Sequence, residues 1–205
     1  MMKRICTGIL TVFSLATVAA FAQSSSTPTT STPVTGKTIQ ERKDNQQNRI
    51  GNGVENGSLT AGEAGRLENK EKNLNKEEHN MRTADDGKLT AADKAKLTRQ
   101  QNRLSNNIYN QKHDAQVQPK TNNEVNTRDR NQQERIGQGI KSGQLTAGEA
   151  SNLEKKETKL NKEERNDRAA NGGKLTQGEK ARINRQQNRA SKQIYNKKHN
   201  GRKRG

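Results

Sequence analysis

The stretch Gly57-Ser58-Leu59-Thr60-Ala61-Gly62-Glu63-Ala64 decides how this chain folds. Its pattern Gly-x-Leu-Thr-x-x-Glu returns from Gly143 and Gly173, and from Gly87 with Asp93 in the acidic place. A threonine three residues before an acid is a capping box when a helix follows. The hydroxyl accepts from the amide of the acid, and the carboxylate accepts from the amide of the threonine. The pairs are Thr60/Glu63, Thr90/Asp93, Thr146/Glu149 and Thr176/Glu179. The glycine before each suits the left-handed residue that closes the preceding helix. Leu59 at N′ can staple onto Ala64 at N4, whereas Lys94 and Lys180 occupy the far end of the staple in the second turns. Each appearance therefore marks a passage from one helix to the next.

The spacing downstream agrees. Ala64, Leu67, Glu71, Leu74, Glu78 and Met81 alternate steps of three and four, as do Leu97, Gln101, Leu104 and Ile108. The helix before the first turn, near Ile39 to Val54, is sparse in apolar residues, and Gly51 and Gly53 each cost it about 1 kcal/mol relative to alanine. Sliding the chain by 86 residues aligns 42–113 with 128–199 without a gap, and 44 of the 72 positions are identical. The chain thus reads as all-α, a tandem repeat of two helix-turn-helix-turn-helix units, each expected to pack as a small antiparallel three-helix unit. All three prolines, Pro28, Pro33 and Pro119, lie outside the units, where irregular chain is expected.

Composition sets limits on the rest. Residues 1–22 place Lys3 and Arg4 before an apolar run that ends in Ala20-Phe21-Ala22, the form of a cleaved signal peptide, so an exported chain, periplasmic or extracellular, is expected with no transmembrane segment after cleavage. Cys6 leaves with that segment, which excludes disulfides and thiolate metal sites from the mature chain. Residues 23–36 form a Ser/Thr/Pro-rich linker. The units are read as 37–116 and 128–200, separated by a linker at 117–127 and followed by a basic tail at 201–205. The formal net charge is +17, and it is uneven: residues 37–120 carry +4 and residues 121–205 carry +11.

The second half of each turn resembles the loop of the EF-hand family. Gly57, Leu59, Thr60 and Glu63 match positions 6, 8, 9 and 12 of that loop, as do Gly143, Leu145, Thr146 and Glu149. The resemblance implies calcium as a ligand, with Glu63, Glu149 and Glu179, and Asp85, Asp86 and Asp93 around the second turn, as the candidate side chains. The first half of the loop departs from the family. Positions 1, 3 and 5 would be Asn52, Val54 and Asn56, then Arg82, Ala84 and Asp86, where calcium needs most of its six to eight oxygens. Capping explains the same letters with fewer demands, and no cofactor is expected.

Other chemistry is thin. His113 and His199 lack a second matched ligand, and Tyr109 and Tyr195 read as rings at the edge of a helical seam. The pairs Glu77-Glu78 and Glu163-Glu164 sit among lysines and read as a solvated ion-pair face. No nucleophile elbow and no shared Ser, His and acid set is present, so the chain is expected not to be an enzyme. Arg182, Arg185, Arg189 and Lys192 fall on one helical face, and the chain ends in Arg202-Lys203-Arg204. These residues are the candidate contacts for an anionic polymer or membrane surface. Without stacking aromatics, sequence-specific nucleic-acid recognition is not expected.

The run Arg-Ile-Gly-x-Gly-Ile/Val-x-x-Gly-x-Leu-Thr-x-x-Glu, followed by Gly-Lys-Leu-Thr and Asn-Arg-x-Ser-x-x-Ile-Tyr-Asn-x-Lys-His, resembles that of uncharacterised small secreted bacterial proteins of the acidobacterial kind. The resemblance covers both units and implies export but no activity. The expectation is an exported, non-enzymatic helical protein that associates weakly with anionic envelope or extracellular polymers. A divalent-cation binder and an envelope stress or chaperone-like protein are the alternatives.

Overall fold

The computed structural model describes residues 37–118 and 123–204, so the expected signal peptide and Ser/Thr/Pro-rich linker lie outside the described residues. Six α-helices follow from the caps and the spacing: α1 Ile39–Glu55, α2 Ala61–Ala84, α3 Ala91–Lys112, α4 Glu124–Lys141, α5 Ala147–Ala170 and α6 Gln177–Lys198. The described residues are all-α. Thr60, Thr90, Thr146 and Thr176 are the N-caps of α2, α3, α5 and α6, and Gly57, Gly87, Gly143 and Gly173 stand at positive φ in the turns. A further capping box, Thr38 with Glu41, opens α1. It has the same Thr-x-x-Glu spacing but lacks the preceding Gly-x-Leu that marks the others.

The stretch 117–127, expected to be a linker, is not wholly one. Asn123 caps α4, its side chain accepting from the Asn126 amide at 2.9 Å. Val125 in the first turn is buried with Leu175 and Ile183 in a small apolar cluster, and that burial rewards an early helix start. Gln118 is buried too. Its amide donates to Gly57 O at 3.1 Å and its side chain donates to Leu59 O at 3.1 Å.

The two halves do not pack as separate three-helix units. Residues from Lys37 onward form one compact body, in which α1 lies on α4 and α2 on α5. The glycines that weaken α1 as an isolated helix are what permit this. A Cβ on Gly137 would lie 2.8 Å from Gly51 O and 3.0 Å from the Glu55 nitrogen, and one on Gly51 would lie 2.9 Å from Gly137 O. These three atoms are backbone, so none can swing aside, whereas Lys141 Cγ, 2.5 Å from a Cβ on Gly51, belongs to a side chain. Gly53 and Gly139 make a different space, for a Cβ there would meet Leu59 or Leu145 at 2.6–2.7 Å. The turn leucines thus fold back onto the helices that precede them.

Helices α2 and α5 run antiparallel. A Cβ on Gly62 would face Thr158, Gly65 faces Glu154 and Gly148 faces Lys72, while Ser151 Oγ donates to Gly65 O at 3.0 Å. One apolar core joins both halves: Ile50, Val54, Leu59 and Leu67 with Ile136, Ile140, Leu145 and Leu153, closed by Ile108 from α3 and Ile194 from α6. Hydrogen bonds set the outer helices. Gln46 Nε2 donates to Gln101 O at 2.6 Å and to Ser105 Oγ at 2.8 Å, and 86 residues on Gln132 Nε2 donates to Gln187 O at 2.6 Å and to Ser191 Oγ at 2.9 Å. No helix among the described residues is long and apolar enough to cross a membrane.

Gly137→Ala separates the two effects of glycine. Helix propensity alone would make it stabilising by about 1 kcal/mol, but the clash with Gly51 O must lower stability. Gly178→Ala, with nothing within 4 Å of its Cβ, should instead be neutral or stabilising by up to ~1 kcal/mol. Denaturant midpoints of both variants check the opposite signs.

Candidate functional site

The four turns hold their acids in caps. Glu63 Oε2 accepts from the Thr60 amide at 2.9 Å, Asp93 Oδ2 from Thr90 at 3.1 Å, Glu149 Oε2 from Thr146 at 3.3 Å and Glu179 Oε2 from Thr176 at 2.8 Å. The threonine hydroxyls accept in turn from the acids' own amides at 3.1–3.4 Å. Bonds to the carboxylates favour the charged form: the Thr90 hydroxyl holds Asp93 below the usual carboxylate range, and the Thr176 amide does the same for Glu179. Further donors take the remaining oxygens in the second half. Asn200 donates to Glu149 Oε1 at 2.7 Å, and Asn171 donates to both oxygens of Glu179 at 2.9 Å.

Asp85 caps the end of α2 and Asp86 is exposed at φ 48°. Among the described residues no three His, Cys, Asp or Glu side chains converge as a metal site. The turn acids are therefore helix-terminus groups, and the structure does not gather them into one place.

A second set of acids was not legible as such. Glu78 and Glu164, expected on a solvated face, are buried, as are Glu68, Glu71, Glu154 and Glu157. They form a carboxylate layer along α2 and α5, facing the glutamines of α1 and α4. Gln47 Nε2 donates to both oxygens of Glu68 at 3.1–3.2 Å, and Gln133 Nε2 donates to Glu154 Oε2 at 3.0 Å. Lys43, itself buried, sets its ammonium 3.1 Å from Glu78 Oε2.

Burial pushes Glu68 up to about 8, against the Gln47 bond and the more distant Arg204 charge, with Glu71 adding to the rise. Glu71 is pushed to about 7 in the same way, partly offset by Lys43, and burial holds Glu154 well above the usual range, against the Gln133 bond and with the Glu157, Asp129 and Glu68 charges adding to the rise. The stripe Ala64-Leu67-Glu71-Leu74-Glu78 carries the signal for two of these. The usual preference of glutamate for water points the other way.

The basic candidates divide. Arg182 Nε lies 2.8 Å from Glu163 and its NH2 group 2.6 Å from Asp167. Arg204 is only 15% exposed at its side chain, pairs with Asp44 at 3.2 Å and donates to Ile140 O at 3.1 Å. Its amide donates to Gly143 O at 3.1 Å, the same bond that Gln118 makes to Gly57. Both arginines, read from sequence as surface contacts, are thus held by the fold. Arg185, Arg189, Lys192, Arg202 and Lys203 are exposed, with no acidic partner among the described residues. Tyr109 and Tyr195 are 57% exposed and stack on His113 and His199 at 4.2 Å between ring centroids, each histidine Nδ1 lying 2.7 Å from its tyrosine's carbonyl oxygen.

No protein-family model matches the chain, and it has no match among curated proteins or solved structures.

Two outcomes follow from this geometry. Thr146→Ala removes the acceptor for the Glu149 amide and should cost about 1 kcal/mol, read by thermal or urea unfolding. The raised carboxyls bind protons more tightly in the folded chain than in the unfolded one. Their contribution is fully present below the ordinary value of 4.5 and is lost as pH rises through about 7 to 8. The melting temperature should therefore fall steadily from about pH 5 to about pH 8.5, since each tenfold gain in a carboxylate's proton affinity on folding is worth about 1.4 kcal/mol. A rise over that interval would contradict the buried layer.

Proposed function

We propose that this is an exported, non-enzymatic binding protein, built by duplication of a three-helix unit, which associates with anionic envelope or extracellular polymers through the outer face of α6. One observation carries the reading. Over its 22 residues, about 33 Å at the usual rise, α6 holds seven Lys and Arg against one acid, Glu179. Arg185, Arg189 and Lys192 share one exposed side of it, with the basic tail beyond. The corresponding helix α3 has five basic residues and one acid, so the second half would bind first.

Arginine and lysine on a solvated face attract a polyanion over roughly a Debye length, about 8 Å at physiological salt, without requiring a shaped pocket. That suits association with a repeating charged surface better than recognition of one molecule. The divalent-cation reading has less support, because the turn acids it needs already accept from the cap amides. The EF-hand-like letters of the turns then reflect helix capping, whatever their ancestry.

Retention of the full chain on heparin and on acidic liposomes should be strong at low salt and lost by ~1 M, where the screening length is about 3 Å. The combined Arg185→Gln, Arg189→Gln and Lys192→Gln variant should elute at clearly lower salt. Retention that survives ~1 M salt, or is unchanged in the variant, would refute the assignment to this face.

A further inference from the structure

The outer face of α6 has a counterpart on α3. Seven positions are exposed from Arg99 to His113, and the same seven, 86 residues on, are exposed from Arg185 to His199. Six of the seven carry the same residue, the exception being Asn106 against Lys192, whereas only four of the eight positions exposed on both α2 and α5 agree. Exposed substitutions usually change stability by no more than about 0.5 kcal/mol, so packing does not account for the likeness.

Each face joins charge to an aromatic ring. Arg99 and Arg103 are exposed without an acidic partner among the described residues, as Arg185 and Arg189 are. Two and three turns further along come Tyr109 and Tyr195, both exposed. Each ring is held by a histidine. A carbonyl oxygen only accepts, so His113 Nδ1 carries the hydrogen and donates to Tyr109 O at 2.7 Å, which sets the imidazole against the phenol ring. His199 repeats this with Tyr195. A tyrosine fixed in this way offers contact area at low cost in freedom. Asn110 and Asn196, one residue on, are exposed beside the rings.

The two faces look away from each other. Helix α3 lies on α1 and α2, α6 lies on α4 and α5, and the halves meet through α1 with α4 and α2 with α5. The buried stripes of α3 and α6, ending in Ile108 and Ile194, turn toward that middle. Their exposed sides are therefore on opposite flanks of the body, where one short ligand cannot reach both.

A ligand for such a face needs anionic groups and a ring with an apolar side. An acidic sugar has both: its carboxylate or sulfate pairs with guanidinium forks, its C–H side rests on the tyrosine, and its hydroxyls meet the asparagine amide. Single-stranded nucleic acid is served instead by several rings in succession along a basic groove. Each face here has one ring on a convex helix.

We propose that the chain cross-links acidic polysaccharide, the α3 face holding one strand and the α6 face another, with a sugar ring on Tyr109 and on Tyr195. This rests on the polyanion reading of α6 and adds to it a second site, a ligand class and a bridging action. The α6 strand is held more tightly, because Lys192 stands where α3 has Asn106.

A two-step capture experiment tests this. A heparin hexasaccharide fixed sparsely on a sensor surface binds the full chain at low salt, and a second, fluorescent hexasaccharide is then offered from solution. Capture of the second is expected. The combined Arg99→Gln and Arg103→Gln variant should still bind the surface through α6, while its capture falls at least about tenfold with the loss of two surface ion-pair contacts. The chain has two tyrosines and no tryptophan, so its intrinsic emission reads these rings. Emission should change on hexasaccharide binding in Tyr109→Phe and in Tyr195→Phe, each variant reporting the ring that is left.

Surface binding with no capture of a second hexasaccharide would overturn the bridging and leave the α6 reading standing, whereas no surface binding at low salt would remove both. Undiminished capture by the Arg99/Arg103 variant would also overturn it, since a second copy of the chain, not α3, would then hold the second strand. Unchanged emission in both tyrosine variants would refute the ring contact. Stronger capture of an oligodeoxythymidylate of equal charge would overturn the choice of polysaccharide.

Discussion

The close backbone approach of Gly51 to Gly137 sets where α1 and α4 can lie. With hydrogen in place of Cβ at both positions, α1 and α4 approach until each glycine carbonyl lies where the other's side chain would start. That distance brings Ile50, Val54, Ile136 and Ile140 into one core, and it seats α2 on α5 alongside. The described residues, with two tyrosines and no phenylalanine or tryptophan, cannot fill a wide gap between helices. Small residues at the crossing let a thin set of aliphatics suffice. The cost is borne locally, as helix propensity, and returned globally, as burial.

The second constraint is what the close packing does to polar side chains. Glutamine and glutamate occupy places that larger cores give to leucine, and α1, α4, α2 and α5 share a layer of them. Gln47 with Glu68 and Gln133 with Glu154 pair across helices, while Gln46 and Gln132 tie down α3 and α6. Such a layer specifies which helices meet, because each buried acceptor needs its donor, and it keeps the acids protonated more readily than in water. Six glutamates of α2 and α5 lie inward in this layer, while Arg185, Arg189 and Lys192 stay exposed and leave α6 with a basic outer face.

The helices were legible because capping and periodicity are local. Thr60 with Glu63, and its three counterparts, needed only neighbours within one turn to fulfil their roles, and α2, α3, α5 and α6 begin directly after those threonines. The start of α4 falls inside the expected linker although Ile39 shifted by 86 residues is Val125, and there Val125 is buried with Leu175 and Ile183 some fifty residues away. Among candidate site residues, the exposure of Arg185, Arg189 and Lys192 agrees with their helical phase. The engagement of Arg182 and Arg204 does not follow from phase, because their partners come from α5 and α1.

Where helices begin, which turns need glycine, the 86-residue internal likeness and the sign of the surface can all be read along the chain alone. These are properties of short windows or of simple sums. Two outcomes had to wait for the helices to pack: the single shared core and the buried layer of six glutamates on α2 and α5. The glycines that permit the meeting read, within their own windows, only as weaknesses.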